Sequence, residues 1–397
     1  MIYLILVIII TLFTIVLLTV GFDLFLYYKS VFYRIHIGRF TDEETWLNKI
    51  SDVNQKWLNH TPTVKLTDSA SYVLLDMYRG KYRKKSIQSW QEAGVLLGAM
   101  EMVSYNQKNH KAIKSYISKK VDTHTGKWKE APEYVDGVIL AYALAKYQPI
   151  TNKINPLLEE TIALIEQNMG NDGTVFYRDF IPDIRFVDTI GFICPFLTFY
   201  GITYQKPEYV NLAYKQIKTY IDNALLNSVF LPAHAYNIKT KIPLGIYGWG
   251  RGLGWFILGL VDMYNELPEN HIYKEELKQL LLHTSKNLVQ FQRTDGGFNA
   301  VLTIETRHDS SITTIAGWLF YNTYCITKDT SYLKASKACI KSLMKVTRRD
   351  GSIDFCQGDT KGIGVYATAF DVMPFVQGLA IRLMINIKEL KIKNNLL

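Results

Sequence analysis

Residues 136–147, DGVILAYALAKY, form the stretch that decides the fold, because they are apolar around nearly the whole circumference of a helix. Two later stretches, 188–200 (DTIGFICPFLTFY) and 254–264 (GWFILGLVDMY), have the same property. A helix that is apolar on every side has to be buried among other helices. The sequence therefore predicts an all-α protein in which one set of helices is enclosed by the rest.

The apolar helices alternate along the chain with a second set that carries lysine and glutamate on one face, such as 273–291 (YKEELKQLLLHTSKNLVQF). The apolar set begins near residues 90, 136, 188, 252, 310 and 366. Six hairpins of one inner and one outer helix predict a closed (α/α)6 barrel, also described as a six-hairpin toroid. An open solenoid is the alternative, but the last apolar stretch, 365–384, is too apolar to serve as the polar cap that a solenoid end requires.

The amino-terminal residues 2–22, IYLILVIIITLFTIVLLTVGF, are uncharged and almost wholly apolar. As a helix they measure roughly 31 Å at ~1.5 Å per residue, enough to cross a bilayer. No charged segment precedes them and no small-residue cleavage site follows, which favours an uncleaved single-pass anchor over a signal peptide. Basic residues directly after the span place the globular part in the cytoplasm, with a periplasmic placement as the alternative. The expected domains are a transmembrane anchor (1–27), a linker with a lead-in helix (28–60) and a barrel catalytic domain (61–390).

Composition argues against several classes of function. The net charge of +9 is spread over lysine-rich helices without a dense basic block, so we expect no nucleic-acid partner. The four cysteines and eight histidines are scattered, and no pair or cluster has the spacing of metal ligands. The sequence therefore predicts neither a metal nor another cofactor, and the unpaired cysteines fit a reducing compartment.

Two carboxylates, Asp136 and Asp188, stand at the amino-terminal ends of adjacent inner helices, and these ends share one mouth in such a barrel. Taken singly, each could simply cap its helix. Together at one mouth they favour acid/base work on a sugar, in which one carboxyl holds a proton and the other is charged. Asp188 is the better proton donor, because apolar neighbours raise the pKa of a carboxyl group.

The segment 247–258, YGWGRGLGWFIL, places four glycines at every second position around Trp249, Arg251 and Trp255. It matches neither the G-x-G-x-x-G nor the G-K-[ST] pattern of phosphate-binding loops. Core packing is one interpretation of the two tryptophans. Beside an arginine, they are better interpreted as rings that stack on a sugar, with the guanidinium binding a carboxylate. On this interpretation the glycines give the substrate close access to the backbone.

The same motif resembles a known family. WGRGLGW at 249–255 resembles the W-x-R-G-x-G-W signature of the unsaturated glucuronyl and rhamnogalacturonyl hydrolases, glycoside hydrolase families 88 and 105. YVDGVILAYAL (134–144) and VDTIGFICPFL (187–197) are similar to the segments that bear the two aspartates of the family, and LPAHAYN (231–237) resembles its histidine segment. The resemblance runs from about residue 66 to 388 and implies a metal-free (α/α)6 barrel.

The resemblance also implies roles for individual residues. Asp188 would be the general acid that protonates the C4=C5 double bond of an unsaturated uronic acid, after which water adds at C5 and the hemiketal opens. Asp136 would orient or tune this step. The expected substrate is an acidic oligosaccharide or polysaccharide, bound by four residues that the resemblance gives, His234, Trp249, Arg251 and Trp255. Trp90 joins them because the sequence places it at the start of the first inner helix, at the same mouth. Two alternatives stay open, a conventional glycosidase acting on a surface or capsular polysaccharide and an inactive membrane-tethered protein that binds or assembles carbohydrate.

Overall fold

The structure is a computed structural model that describes residues 1–82, 85–104 and 108–395 of the chain. In chain order the helices are α1 (Ile2–Arg34), α2 (Glu43–Asn59), α3 (Val73–Tyr78), α4 (Lys85–Glu101), α5 (Lys108–Lys120), α6 (Val138–Ala145), α7 (Asn155–Gln167), α8 (Asp188–Thr203), α9 (Pro207–Ala224), α10 (Gly250–Glu266), α11 (Lys274–Leu288), α12 (Ser310–Thr327), α13 (Thr330–Lys345) and α14 (Pro374–Asn395).

Short strands lie in the connections between these helices. They are β1 (Ile184–Phe186), β2 (Leu225–Leu226), β3 (Leu231–Pro232), β4 (Ala235–Asn237), β5 (Pro243–Leu244), β6 (Cys356–Gln357) and β7 (Phe370–Asp371). The pairs are antiparallel, in the orders β1-β4-β5, β2-β3 and β6-β7. Each of these small sheets therefore ties together loops at the ends of helices and leaves the helical core intact.

The inner helices α4, α6, α8, α10, α12 and α14 form a closed ring, in which each packs against the next and α14 packs back against α4. The helices α2, α5, α7, α9, α11 and α13 cover the ring from outside. The inner helix α6 is buried along its whole length, as its all-round apolar sequence requires. The predicted (α/α)6 barrel is confirmed, and ring closure excludes the open solenoid.

Helix α2 lies within the segment that the sequence assigned to a linker and lead-in helix, yet it forms part of the barrel wall. Buried Trp46 donates from its indole nitrogen to Thr347 Oγ1 (2.8 Å), and Gln377 on the inner ring donates to the carbonyl oxygen of Ile50 (3.0 Å). Helix α2 therefore packs as part of the barrel wall, while the domain boundary at residue 61 stays a prediction. The polar outer face of α2 concealed its apolar inner stripe.

The last inner helix begins at Pro374 and not near residue 366, because the preceding residues include β7, which pairs with β6. Proline suits the first turn of a helix, where its missing N–H needs no partner, and it disfavours helical geometry in the residue before it. Residues 366–373 therefore form a connection that contains strand β7 and lies at the barrel mouth.

Helices α4 and α14 close the ring through glycines. A Cβ atom on Gly378 would overlap the carbonyl oxygen of Gly94, and one on Gly98 would overlap Gly378 itself. The two backbones touch directly, so there is no side chain at this contact that could move aside. The contact that closes the barrel therefore depends on the absence of side chains at these positions.

We expect Gly378→Ala to destabilise the barrel by about 2–3 kcal/mol or more, because the two inner helices would have to separate, and overpacking a filled core costs this much. Gly362→Ala is the matched control, since a Cβ at Gly362 meets nothing within 4 Å. Thermal unfolding of the detergent-solubilised chain measures the difference. Equal melting temperatures for the two variants would contradict this role of Gly378.

Helix α1 projects from the barrel and is attached to it at two places. Residues 2–18 are exposed and almost all apolar, whereas Thr19 is buried. The Asp23 carboxylate accepts hydrogen bonds from the backbone N–H groups of Tyr72 (2.6 Å) and Val73 (3.0 Å), and Arg34 Nε donates to Asp354 Oδ2 (2.7 Å). Among the described residues α1 is long and apolar enough to cross a membrane, a property that signal sequences share.

Candidate active site

A cavity of about 680 Å³ opens at the amino-terminal ends of the inner helices. Its lining combines carboxylates, basic side chains and aromatic rings from the inner helices and from the loops that precede them: Trp90, Glu133, Tyr134, Asp136, Tyr177, Arg178, Phe186, Asp188, Phe192, His234, Arg251, Trp255, Asp359 and Lys361. The structure thus brings together six of the seven residues that the sequence singled out. The seventh, Trp249, lies behind the wall.

The position of Asp188 follows from the small sheet beside it. Strands β1 and β4 pair so that Phe186 lies opposite Ala235, and the N–H of Val187 donates to the carbonyl oxygen of His234 (3.0 Å). Helix α8 begins at the next residue, Asp188. Its carboxylate is thereby held 3.8 Å from His234 Nε2, at the cavity wall.

Burial dominates the electrostatics of Asp188. Desolvation raises the pKa of its carboxyl group to about 7, and the negative charges of Asp359 and Asp136 contribute to the increase. The positive charge of Arg251 and a hydrogen bond from the backbone N–H of Asp188 itself lower the pKa but do not offset the desolvation. Desolvation, reinforced by Arg251, lowers the pKa of His234 to about 3. His234 is therefore neutral near pH 7, and its approach to Asp188 is not an ion pair. Asp188 can carry a proton at neutral pH, which is the property that a general acid needs.

Asp136 lies in the 3₁₀ turn Val135–Gly137 that leads into α6, and it is 1% exposed. Its Oδ2 atom accepts hydrogen bonds from Tyr177 Oη (3.0 Å) and Arg178 Nη2 (2.8 Å). The guanidinium of Arg178 also lies over the rings of Tyr177 and Tyr134, at 3.8 and 4.5 Å from their centroids. Asp136 is therefore a paired carboxylate, in contrast to Asp188.

Arg178 is a site residue that the sequence analysis missed. It follows the turn NDGTVFY at 171–177, and no local pattern distinguishes it from other surface arginines. Its role emerges only where this turn folds over the start of α6 and meets Asp136. A pairing that joins residues 42 positions apart leaves no periodic signal in the sequence.

Arg251 is 2% exposed, and it anchors a neighbouring loop as well as lining the cavity. Its Nη1 atom donates to the carbonyl oxygens of Gln357 and Gly358, both at 2.6 Å. Within the described part of the chain Nη2 makes no hydrogen bond, and it lies 3.8 Å from Asp359 Oδ1. The guanidinium therefore offers an unused donor to a negatively charged group in the cavity.

Trp249 packs behind the residues that line the cavity, and its stacking on a sugar stays a prediction. Its indole nitrogen donates to Gln357 Oε1 (2.9 Å), its ring centroid lies 4.5 Å from that of His234, and Arg251 Cζ lies 5.1 Å from it. Trp249 thus positions two residues that do line the cavity. Its one polar atom is used within the protein.

Trp90 and Trp255 do line the cavity, where they meet edge to face at a centroid distance of 5.5 Å. Phe192 packs against Trp255 at 4.5 Å. Both tryptophans are nearly completely buried, so only a small part of each ring meets the cavity. They form an apolar floor on which the C–H face of a sugar can lie.

The glycines of the segment 247–258 face the protein and not the substrate. A Cβ on Gly250 would lie 2.9 Å from the Ile312 side chain, and one on Gly254 would lie 3.0 Å from that of Ile315. Gly252 meets the ring of Trp249 in the same way. The interpretation of these glycines as room for substrate is therefore wrong, because they let α10 pack closely on α12 and on Trp249.

The sequence model of Glycosyl Hydrolase Family 88 matches residues 49–391. A family 105 glycoside hydrolase from C. acetobutylicum is 15% identical, with a TM-score of 0.66, and the match covers 80% of this chain and 98% of that one. A family 88 glycosyl hydrolase from Bacteroides vulgatus is 18% identical, with a TM-score of 0.60 and coverage of 87% and 98%.

A third structure is the unsaturated glucuronyl hydrolase from Bacillus sp. GL1, which is responsible for the degradation of glycosaminoglycan. It is 13% identical to this chain, with a TM-score of 0.63 and coverage of 86% and 96%. At such identities these structures share the fold of the barrel, whereas the match to the family model covers most of the chain. The chain therefore belongs to Glycosyl Hydrolase Family 88 and is a glycoside hydrolase.

Proposed function

We propose that this enzyme hydrates the C4=C5 double bond of unsaturated uronyl oligosaccharides, with Asp188 as the proton donor. The observation that carries the proposal is the pair of unlike carboxyl groups in one cavity. Burial raises the pKa of Asp188 to about 7, whereas Asp136 is ion-paired with Arg178. Such a division gives one proton donor and one fixed negative charge, as acid/base chemistry on a sugar requires.

The proposed reaction starts with transfer of the Asp188 proton to C4. The π electrons of the double bond form the new C–H bond, and positive charge develops at C5, shared with the ring oxygen. Water then adds at C5 and returns a proton to the Asp188 carboxylate. The resulting hemiketal opens as the bond from C5 to the ring oxygen breaks, which leaves a ketone at C5 and a hemiacetal at C1 that releases the second sugar as an alcohol.

The fixed charge of Asp136 favours this route over direct displacement at C1. A conventional glycosidase uses its second carboxylate as a nucleophile or a base. The hydrogen bonds from Tyr177 and Arg178 occupy Asp136 Oδ2 and hold the carboxylate in place, so this oxygen is already engaged within the protein. Asp136 is better suited to stabilising the positive charge that develops at C5.

An acidic substrate fits the remaining groups of the cavity. The unused Nη2 donor of Arg251 suits the C5 carboxylate of a uronic acid, and Trp90 and Trp255 offer an apolar surface to the ring. Lys361 lies at the rim, where its ammonium group pairs with Asp68 (2.6 Å). The proposed substrate is accordingly a glucuronyl or galacturonyl oligosaccharide whose unsaturated end enters the cavity.

The proposal predicts the pH dependence of the reaction. The protonated form of Asp188 is reactive, so kcat/KM should be level below pH 7 and fall about tenfold per pH unit above it, since the pKa of this group is about 7. The pKa of His234 is about 3, so this residue does not change its charge between pH 5 and 9 and should not alter the profile in that range. Initial rates across this range measure the profile. A rate that rises through pH 7 would contradict Asp188 as the acid.

The experiment that tests the function compares matched disaccharides. Unsaturated disaccharides generated by polysaccharide lyases lose their ultraviolet absorbance when the conjugated double bond is hydrated, and the saturated disaccharides of the same linkage serve as controls. We expect loss of absorbance and release of sugar from at least one unsaturated substrate. Cleavage of the saturated controls at comparable rates would favour a conventional glycosidase, and no turnover with folded protein would overturn the enzymatic proposal.

For the amino-terminal helix we propose a single-pass membrane anchor with the barrel on the cytoplasmic side. Residues 2–18 of α1 are exposed and almost all apolar, and Lys29, Arg34 and Arg39 follow the span. A cysteine introduced at exposed Ile272 reports the orientation in intact cells. An impermeant thiol reagent should label it only after the membrane is opened. Labelling in intact cells would place the barrel outside the cytoplasm.

A further inference from the structure

We infer that helix α3 is a second membrane contact, which holds the mouth of the barrel toward an anionic bilayer surface. The inference rests on the proposed anchoring by α1. It concerns the short helix Val73–Tyr78 and the residue before it, Tyr72, all in the segment that joins the first outer helix to the first inner one. Helix α3 belongs to neither the inner nor the outer set of barrel helices.

The exposed surface of α3 is apolar where a soluble protein would place polar residues. Tyr78 is 92% exposed, and Tyr72, Leu75 and Met77 are also exposed. Only Val73 and Asp76 of this helix are buried. A contiguous apolar patch of this kind is typical of a surface that meets another apolar phase.

The attachment of α3 to α1 places this patch at a defined depth. The Asp23 carboxylate accepts hydrogen bonds from the backbone N–H groups of Tyr72 and Val73, the first two residues of the segment 72–78 that carries the apolar patch. Asp23 is the residue directly after the apolar span 2–22, and Thr19 on the same face of α1 is buried. Helix α3 therefore lies beside the last turn of the span, at the level where the hydrocarbon core of a bilayer gives way to headgroups.

The composition at this level matches the membrane interface. Tyr27 and Tyr28 on α1 are exposed, as are Tyr72 and Tyr78 in the α3 segment, and tyrosine is enriched where the headgroups begin. Two described basic residues, Lys29 on α1 and Arg79 directly after α3, are exposed next to these tyrosines in the chain. Exposed apolar side chains together with basic residues are the composition of segments that lie on anionic membranes. The partner that fits this surface is therefore an anionic lipid bilayer.

The same attachments turn the cavity toward the bilayer. Arg34 donates to Asp354 and to the carbonyl oxygen of Phe370, which belongs to the small β6–β7 sheet at the barrel mouth. Asp68, in the segment leading to α3, pairs with the cavity residue Lys361. Both contacts of α1 thus lie on the side of the barrel where the cavity opens.

The order of these contacts along α1 sets the direction. Roughly 16 Å of helix, at ~1.5 Å per residue, separates Arg34 from Asp23, and the apolar span continues beyond Asp23. Going toward the amino terminus, α1 therefore passes the mouth loop first, then α3, then enters the bilayer. The cavity is therefore held near the lipid surface.

A depth measurement on the full chain tests the inference. The chain carries an environment-sensitive fluorophore at Tyr78→Cys and is reconstituted in vesicles of phosphatidylethanolamine and phosphatidylglycerol that contain doxyl-labelled lipid. Ile272→Cys is the matched control, because Ile272 is 80% exposed and lies between α10 and α11, at the opposite end of the inner helix α10. Met77→Cys provides a second reporter on α3, and all variants carry Cys325→Ser to remove the half-buried native thiol.

We expect doxyl lipid to quench the fluorophore on α3 several-fold more than the fluorophore at position 272, and soluble iodide to show the reverse order. If the chain binds the vesicles but iodide quenches the fluorophores at both positions equally, the inference is overturned. The proposed anchor would be unaffected by this result. If the fluorophore on α3 is shielded from iodide in detergent, and more strongly at higher protein concentration, the patch binds a second copy of the chain. That result would also overturn the inference. A chain that fails to float with the vesicles would overturn both the anchor and the inference, while the disaccharide assay in detergent tests the enzymatic proposal separately.

Discussion

Asp188→Asn is expected to lower kcat by about 10³-fold, because an amide of the same shape cannot give a proton to C4, and a positioned general acid contributes roughly 10²–10⁴-fold. KM should change little, since the substrate contacts stay in place. Steady-state kinetics on an unsaturated disaccharide measure both constants. Asp183→Asn is the matched control, five residues earlier, where the carboxylate pairs with Lys239 at the surface. A kcat within threefold of the parent enzyme would show that the proton comes from another group.

The stability of the Asp188→Asn variant shows whether burial is what raises the pKa of the Asp188 carboxyl group in the parent enzyme. The folded-state pKa of about 7 lies above the ordinary value, so folding favours the protonated form, and the stability of the parent enzyme falls as pH rises from about 4 to about 7. The amide has no charge to bury. The melting temperature of the variant relative to the parent should therefore be higher at pH 8 than at pH 5, and a difference independent of pH would contradict a buried, protonated Asp188.

Arg251→Met is expected to raise KM for a uronyl substrate by at least about tenfold, because it removes the charge-assisted hydrogen bonds that a buried guanidinium can make, each worth roughly 1.5–3 kcal/mol. It also releases the carbonyl oxygens of Gln357 and Gly358, so the loop that lines the cavity loses an anchor. The melting temperature should fall as well, since buried polar groups are left unpaired.

A pH profile separates binding by Arg251 from a purely structural role. Arg251 lowers the pKa of Asp188, so its removal in Arg251→Met should move the alkaline limb of kcat/KM to higher pH. Arg251→Lys keeps the charge and should leave that limb near its original place while KM still rises, because an ammonium cannot reproduce the fork of donors. An unchanged KM in both variants would show that the uronate carboxylate binds elsewhere.

The inner ring was predictable because its sequence signal is local. An inner helix such as α8 is buried on all sides, so almost every residue in it must be apolar, and the predicted start at Asp188 agrees with the structure. The outer helix α2 is amphipathic with a polar surface, and its membership in the barrel depends on distant partners such as Thr347. Its place in the outer layer of the barrel therefore could not be predicted from its own residues.

The site was partly predictable for a similar reason. Asp136 and Asp188 stand at helix starts, which the apolar runs reveal, and the structure places both in the cavity. The segment 247–258 was recognisable as special, but the direction of its side chains was not. Whether Trp249 faces the cavity or Gln357, and whether Gly250 faces substrate or Ile312, is decided by neighbours more than 50 residues away.

The central claim, protonation of C4 by an enzyme-held acid, is tested most directly by the stereochemistry of deuterium uptake. The unsaturated disaccharide is turned over in D₂O, and early product is examined by NMR. Transfer from Asp188 in a closed cavity predicts one deuterium at C4, on one face only, and no such product with Asp188→Asn. Deuterium distributed equally over both faces, or sugar released before any deuterium reaches C4, would contradict hydration by Asp188.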